Sequence, residues 1–167
     1  GRVDMSVLVE AWPDASATDI EFEAESDGSL PWIDGSSGMQ DWLPDERIGI
    51  GDLTYDRYFA QTLRVGHGPV KAAELTLRLR SLNGMCKNDA IYLEHQGSRE
   101  FAWTLGIEAL LGRWRAGMTR TVHLDLARLP LKSGETFDLR SSLEDGLLDV
   151  VIQDDTAVEA ISIRIVR

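Results

Sequence analysis

Alternation with a period of two runs through this chain. Val3, Met5, Val7 and Val9 alternate with Asp4, Ser6, Leu8 and Glu10, and Ile20, Phe22 and Ala24 with Asp19, Glu21, Glu23 and Glu25. Leu75, Leu77 and Leu79 alternate with Glu74, Thr76, Arg78 and Arg80; Val122, Leu124 and Leu126 with Thr121, His123 and Asp125; Ile161, Ile163 and Ile165 with Ser162 and Arg164. Successive side chains of a β-strand point to opposite faces, so each segment predicts a strand with one apolar and one wet face. Tyr58–Val65, Ala90–His95, Phe101–Ile107 and Leu147–Ile152 are shorter candidates. About nine such strands suit antiparallel sheets with one solvated side. Two sheets packed face to face bury all the apolar faces at once. The pattern therefore predicts an all-β fold, an antiparallel two-sheet β-sandwich or jelly roll. The one helix candidate is Gly106–Trp114, "GIEALLGRW", which is short and contains Gly112; it predicts one turn of helix or a loop.

At 167 residues the chain predicts a single domain, 1–167, large enough for one sizeable core. Its first part differs from the rest. Residues 1–56 hold 14 acids against two bases, Arg2 and Arg47, while residues 57–167 hold 14 acids and 15 bases. Within the acidic part, Ser26–Tyr55 is irregular and rich in Gly, Ser, Asp and Pro. A loop of that length is uncommon in a compact domain unless it is functional or disordered. Tryptophan packing, a bound cation or a partner chain could hold it. The formal charge of −11 argues against nucleic acid and anionic membrane surfaces, both of which reward basic patches. No apolar run approaches the roughly 20 residues that span a bilayer, so no membrane insertion is expected. The chain begins at Gly1 without a methionine, which suggests a processed protein or an expressed fragment. Cys86 is the only cysteine, which excludes an intrachain disulfide; its turn-like setting, "NGMCKND", suggests an unpaired structural thiol.

Chemistry is less marked than fold. Asp154, Asp155 and Thr156 lie between the last two apolar runs, where a hairpin turn is the plain expectation. The alternative is calcium, which takes six to eight oxygen ligands. Asn88, Asp89, Asp154 and Asp155 are the candidate ligands, and Asp52, Asp56, Asp145 and Asp149 are further oxygen donors at strand ends. The stretch "DIEFE" sets Asp19, Glu21 and Glu23 on one strand face, about 6.6 Å apart. Jelly-roll glucanases carry Glu-x-Asp-x-Glu, which this stretch does not match, so a glycosidase acting through these acids is a distant third possibility. Trp32 and Trp42, in the acidic loop, are the candidate ligand-binding residues, since exposed indole faces stack on sugar rings. Trp103 and Trp114 fit the core better. No nucleophile elbow is present, and His67, His95 and His123 read as ordinary surface histidines. Val3, Met5, Val7 and Val9 form an apolar face at the extreme terminus. Such a strand completes its own sheet or adds to a neighbour's open edge; exchange between subunits would build a fibre.

From Tyr55 to Val166 the chain contains "NDAIYLE", "WTLGIEALLGRWRAGMTRTVHLDLARLP" and "DGLLDVVIQDDTAVEAISIRIV" in that order. In these segments it resembles a β-sandwich domain of secreted bacterial proteins, including ones with the PEP-CTERM sorting tail. The resemblance covers about residues 55–166; the acidic strands and loop of 1–55 precede it, and no sorting tail follows Arg167. It implies an exported, non-catalytic domain, secreted or at the bacterial cell surface, and it brings no ligand. Asn88, Asp89, Asp154 and Asp155 are the polar members of the shared segments. The expectation is thus an extracellular structural or assembly module, a fibre subunit through its first strand and stabilised by calcium, self-associating or joining other envelope proteins. A carbohydrate-binding module that holds polysaccharide through Trp32 and Trp42 is the alternative.

Overall fold

The computed structural model describes residues 20–23, 47–48, 57–82, 89–97 and 100–167, with residues 20–23, 47–48, 57, 58 and 154 described for their backbone alone. The strands are β1 (Ile20–Glu23), β2 (Arg47–Ile48), β3 (Arg57–Arg64), β4 (Ala72–Ser81), β5 (Ala90–Gly97), β6 (Glu100–Gly106), β7 (Thr119–Asp125), β8 (Leu129–Pro130), β9 (Thr136–Phe137), β10 (Leu147–Asp154) and β11 (Thr156–Val166). Helix α1 (Ile107–Leu111) follows β6, and a 3-10 turn (Arg140–Leu143) precedes β10. A four-stranded sheet has the order β1-β11-β4-β7 and a five-stranded sheet the order β2-β3-β10-β5-β6; β8 and β9 form a small ribbon. Every pairing is antiparallel except β2 with β3, which is parallel. The molecule is the all-β antiparallel two-sheet sandwich that the alternation predicts. Helix α1 is the single turn expected around "GIEALL".

Register explains the core. Leu75 and Leu77 of β4 lie between Ile163 and Ile161 of β11 on one side and Leu124 and Val122 of β7 on the other, so these alternate residues share the inner face. Phe59, Leu63, Ile91, Leu93, Trp103, Leu148, Val150 and Ile152 answer from the five-stranded sheet, all at most 2% exposed. Burial of one such aliphatic side chain contributes about 1.5–3 kcal/mol, so this layer dominates stability. The outer face of the four-stranded sheet carries the polar half of the alternation. There Glu159 pairs with Arg78 at 3.1 Å and with Arg80 at 3.6 Å, and His123 lies 3.3 Å from Glu74 and 3.0 Å from the Thr76 hydroxyl. Partly exposed pairs of this kind contribute only about 0–1 kcal/mol each. Trp103 and Trp114 are both core residues, and the Trp103 indole N–H donates to the Pro130 carbonyl at 2.9 Å.

The hairpin expected at Asp154–Thr156 is not what forms. β10 belongs to the five-stranded sheet and β11 to the four-stranded one, so Asp155 is a corner where the chain changes sheets. Asx-rich turn chemistry serves either connection, and only the pairing of the flanking strands decides between them. Among the described residues, no helix is long and apolar enough to cross a membrane.

Candidate functional site

β10 is an apolar run, "LLDVVI", interrupted by one acid. Leu148 and Val150 face the core, so Asp149 between them faces outward. The sheet order puts β10 between β3 and β5. Thr62 of β3 is directly opposite Asp149, and its hydroxyl donates to Asp149 Oδ1 at 2.9 Å. On the other side Val150 pairs with Leu93, which brings Asp149 beside Glu94. The backbone N–H of His95 donates to Asp149 Oδ2 at 3.2 Å. Both oxygens of the central carboxylate are therefore held by its two neighbouring strands.

Glu94 is the one non-glycine residue with positive φ, +61°, among the described residues. A left-handed backbone costs an ordinary residue about 1–2 kcal/mol, and such strain persists only where the surroundings enforce it. Here it ends the β5–β10 pairing after Leu93 and turns the Glu94 side chain to Asp149. The two carboxyls are near enough for the charge of Asp149 to act on Glu94. Burial pushes Glu94 up to about 9, with further increments from the charges of Asp149 and Asp145. Burial also raises Asp149, while the Thr62 hydroxyl, Glu94 and the His95 N–H oppose that rise. At neutral pH Glu94 thus keeps its proton, the outcome expected of a buried carboxyl with other acids beside it. Glu94 is 9% and Asp149 7% exposed, yet Glu94 Oε2 has no hydrogen-bond partner among the described residues.

These groups form the floor of an open cleft of about 320 Å³ lined by Glu94, His95, Ser142, Asp145, Leu147 and Asp149. Its rim is set by the turn before β10. Asp145 Oδ1 accepts the Leu147 N–H at 3.0 Å, and Gly146 adopts φ +88° between them. An aromatic row continues from the cleft. The His95 ring meets Phe101 edge-on at a centroid distance of 5.3 Å, and Phe101 tilts against Tyr92 at 5.2 Å. The Tyr92 hydroxyl accepts from Gln153 Nε2 at 2.9 Å. All three rings are half-buried. The cleft therefore offers an acid proton, carboxylate and hydroxyl oxygens, and ring surface beside them.

The residues singled out by sequence stand elsewhere. Asp89 is 1% exposed and accepts from the Asp155 backbone N–H at 3.2 Å and the Thr156 hydroxyl at 2.5 Å, while its carbonyl accepts the Ile107 N–H at 2.9 Å. The structure thus joins Asp89 to Asp155; Asn88 lies outside the described residues and Asp154 is described for its backbone alone. Among the described residues, no group of three His, Cys, Asp or Glu side chains is arranged to hold a metal ion. Trp32, Trp42, Cys86 and the strand of Val3, Met5, Val7 and Val9 also lie outside the described residues, as does Asp19; Glu21 and Glu23 fall in β1, opposite Arg164 and Ser162. His95, expected as a surface residue, is a half-buried wall of the cleft. Glu94 was not distinguishable from any polar strand position. The available signal was Asp149: an acid inside an apolar run requires a partner, although the run does not say which.

No family model matches the chain, and no curated protein matches it. Among solved structures, it is similar to the CBM36-1 domain of a multidomain xylanase from the hindgut metagenome of Trinervitermes trinervoides. The two are 10% identical, the alignment covers 89% of this chain and 97% of that one, and the TM-score is 0.33. A likeness at that level carries no argument about function.

Proposed function

We propose that this β-sandwich is a non-catalytic glycan-binding module whose ligand occupies the Glu94–Asp149 cleft. The observation that carries this reading is the cleft itself, where the carboxyls of Glu94, Asp145 and Asp149 converge beside the His95 ring, with Glu94 nine-tenths buried. A sugar hydroxyl both donates and accepts, and vicinal hydroxyls are met by several convergent carboxyls. Half-buried rings beside convergent polar groups provide surface for the apolar face of a pyranose. In this reading His95, Phe101 and Tyr92 supply that surface among the described residues; Trp32 and Trp42 lie outside them.

The pair also fits binding better than hydrolysis. Glycosidases hold their two carboxyls about 5–9.5 Å apart, with the scissile bond between them. Asp149 has both oxygens held, by the Thr62 hydroxyl and the His95 N–H, which ties it to the sheet as a fixed contact instead of leaving it free as base or nucleophile. A polysaccharide ligand accords with a secreted or cell-surface location, which belongs to the same proposal.

Affinity electrophoresis through gels containing different soluble polysaccharides tests this. At least one polysaccharide should retard the protein, and Asp149→Asn and Phe101→Ala should each reduce that retardation by about tenfold or more, as expected for loss of a central contact. No retardation by any polysaccharide, or retardation that survives both substitutions, overturns the reading. Release of reducing ends during the run would overturn its non-catalytic part.

A further inference from the structure

We infer that the cleft is selective for a saccharide bearing a free amine, whose ammonium group sits among Glu94, Asp145 and Asp149. This deepens the glycan-binding reading and rests on it. Among the described residues that line the cleft, three of six are acids and none is lysine or arginine. Glu94 is nine-tenths buried, lines the cleft and has one oxygen with no partner among the described residues. A neutral hydroxyl can hydrogen-bond Glu94 but leaves the surrounding negative charge uncompensated. An ammonium does both, since it carries three donors and one positive charge.

The electrostatics of the surroundings agree. The charges that act on Glu94 are those of Asp149 and Asp145, and both disfavour its ionisation. His95 is the titratable base on the cleft wall, and its charge acts on Asp149. Arg64 of β3 stands opposite Leu147 and is exposed, as is Glu144 beside Asp145; His67 packs on Gly146. An arriving ammonium reverses the local sign, so Glu94 gives up its proton to solvent and pairs with the amine as a carboxylate. A metal ion is the poorer occupant. Both Asp149 oxygens already accept hydrogen bonds, and among the described residues no three-ligand group is arranged for a metal.

The test is calorimetric titration of the full chain with oligomers of glucosamine and, as the matched neutral control, oligomers of N-acetylglucosamine, alongside xylo- and cello-oligomers. Glucosamine oligomers should bind at least about tenfold more tightly than their acetylated counterparts. The preference should collapse in Glu94→Gln and in Asp145→Asn, the second being an exposed site whose exchange leaves the fold intact. Titration at pH 6 in buffers of different ionisation enthalpy should show proton release on binding in the parent and none in Glu94→Gln. Equal or tighter binding of the acetylated or neutral oligomers overturns the selectivity while leaving glycan binding standing. A glucosamine preference unchanged in both variants assigns the amine to another place and overturns it too. Failure of every oligomer, with no retardation by any polysaccharide gel, overturns both.

Discussion

The hydroxyl of Thr156 donates to the carboxylate of Asp89 across 2.5 Å, although the two are 67 residues apart in sequence. Asp89 immediately precedes β5 in the five-stranded sheet, and Thr156 opens β11 in the four-stranded sheet. With the Asp155 N–H on the other oxygen, the pair pins the two layers together at the corner where the chain changes sheets. Both residues are at most 1% exposed, so water does not replace a lost partner. A hydrogen bond to a charged group contributes about 1.5–3 kcal/mol, and a buried donor left unsatisfied costs about 1–3. Asp89→Ala should therefore lower the unfolding free energy by about 3–5 kcal/mol, and Thr156→Val by about 1.5–3. Urea denaturation measures both; a loss below about 1 kcal/mol in Asp89→Ala would show that the corner does not depend on this contact.

Glu94 predicts the sign of the pH dependence. Its carboxyl rises from an ordinary value of 4.5 to about 9 on folding. Between those values the folded chain holds a proton that the unfolded chain releases, so this residue makes stability fall as pH rises through that window. Below about 4.5 it is protonated in both states, and its penalty vanishes. Glu94→Gln cannot ionise and keeps the shape. It should melt at a higher temperature than the parent at pH 8, with the difference closing by pH 4.5. A melting difference that is constant across this range, or that widens toward acid, would place the folded titration of Glu94 elsewhere.

The fold was legible because it depends on local alternation. Leu75, Leu77 and Leu79 declare an inner face wherever their strand is placed, and β11 repeats the signal with Ile161, Ile163 and Ile165. The site was not legible because it depends on which strands are neighbours. Glu94 and Asp149 meet only because β5 lies beside β10, and nothing in "IYLEH" or "LLDVV" states that order. The backbone of Glu94 adds a second barrier, since a positive φ at a glutamate has no sequence signature, unlike a glycine in a turn. The same limit applies at Asp154–Thr156. Their turn chemistry was visible, but whether the strands they join are partners or belong to opposite layers is a property of the whole sandwich.

Arg167 clasps the loop between β3 and β4. Its guanidinium donates to the carbonyls of Gly68 at 2.5 Å and Val65 at 2.6 Å, and also to that of Gly66. Three carbonyls on one planar donor fix the loop's path more firmly than any single bond, and the rigid fork loses little freedom in making them. The group is half-exposed, so the expected loss in Arg167→Ala is modest, about 1–2 kcal/mol. The local effect should be larger than the global one. Hydrogen exchange of Val65 to Gly68 should quicken markedly while that of β4 stays slow. Unchanged exchange in the loop would show that its own backbone bonds, such as Gly68 N–H to Glu144 carbonyl at 3.1 Å, suffice.

Gly146 joins that loop to the cleft. It has φ +88° and sits between Asp145 and Leu147; a Cβ placed there would lie 3.3 Å from the His67 ring and 3.4 Å from the Gly66 carbonyl carbon. Two costs follow from Gly146→Ala. The left-handed backbone costs a residue with a Cβ about 1–2 kcal/mol. The contact with His67 adds a smaller amount, because an exposed ring can swing aside, whereas Gly66 backbone yields less. The double variant His67→Ala/Gly146→Ala separates them. It should recover only a minor part of the stability lost in Gly146→Ala, with the rest assigned to φ. Full recovery would make the ring the sole obstacle. If the turn relaxes to relieve the backbone, Asp145 moves away from the cleft floor, and Gly146→Ala should then weaken ligand binding as well as stability, whether or not His67 is removed.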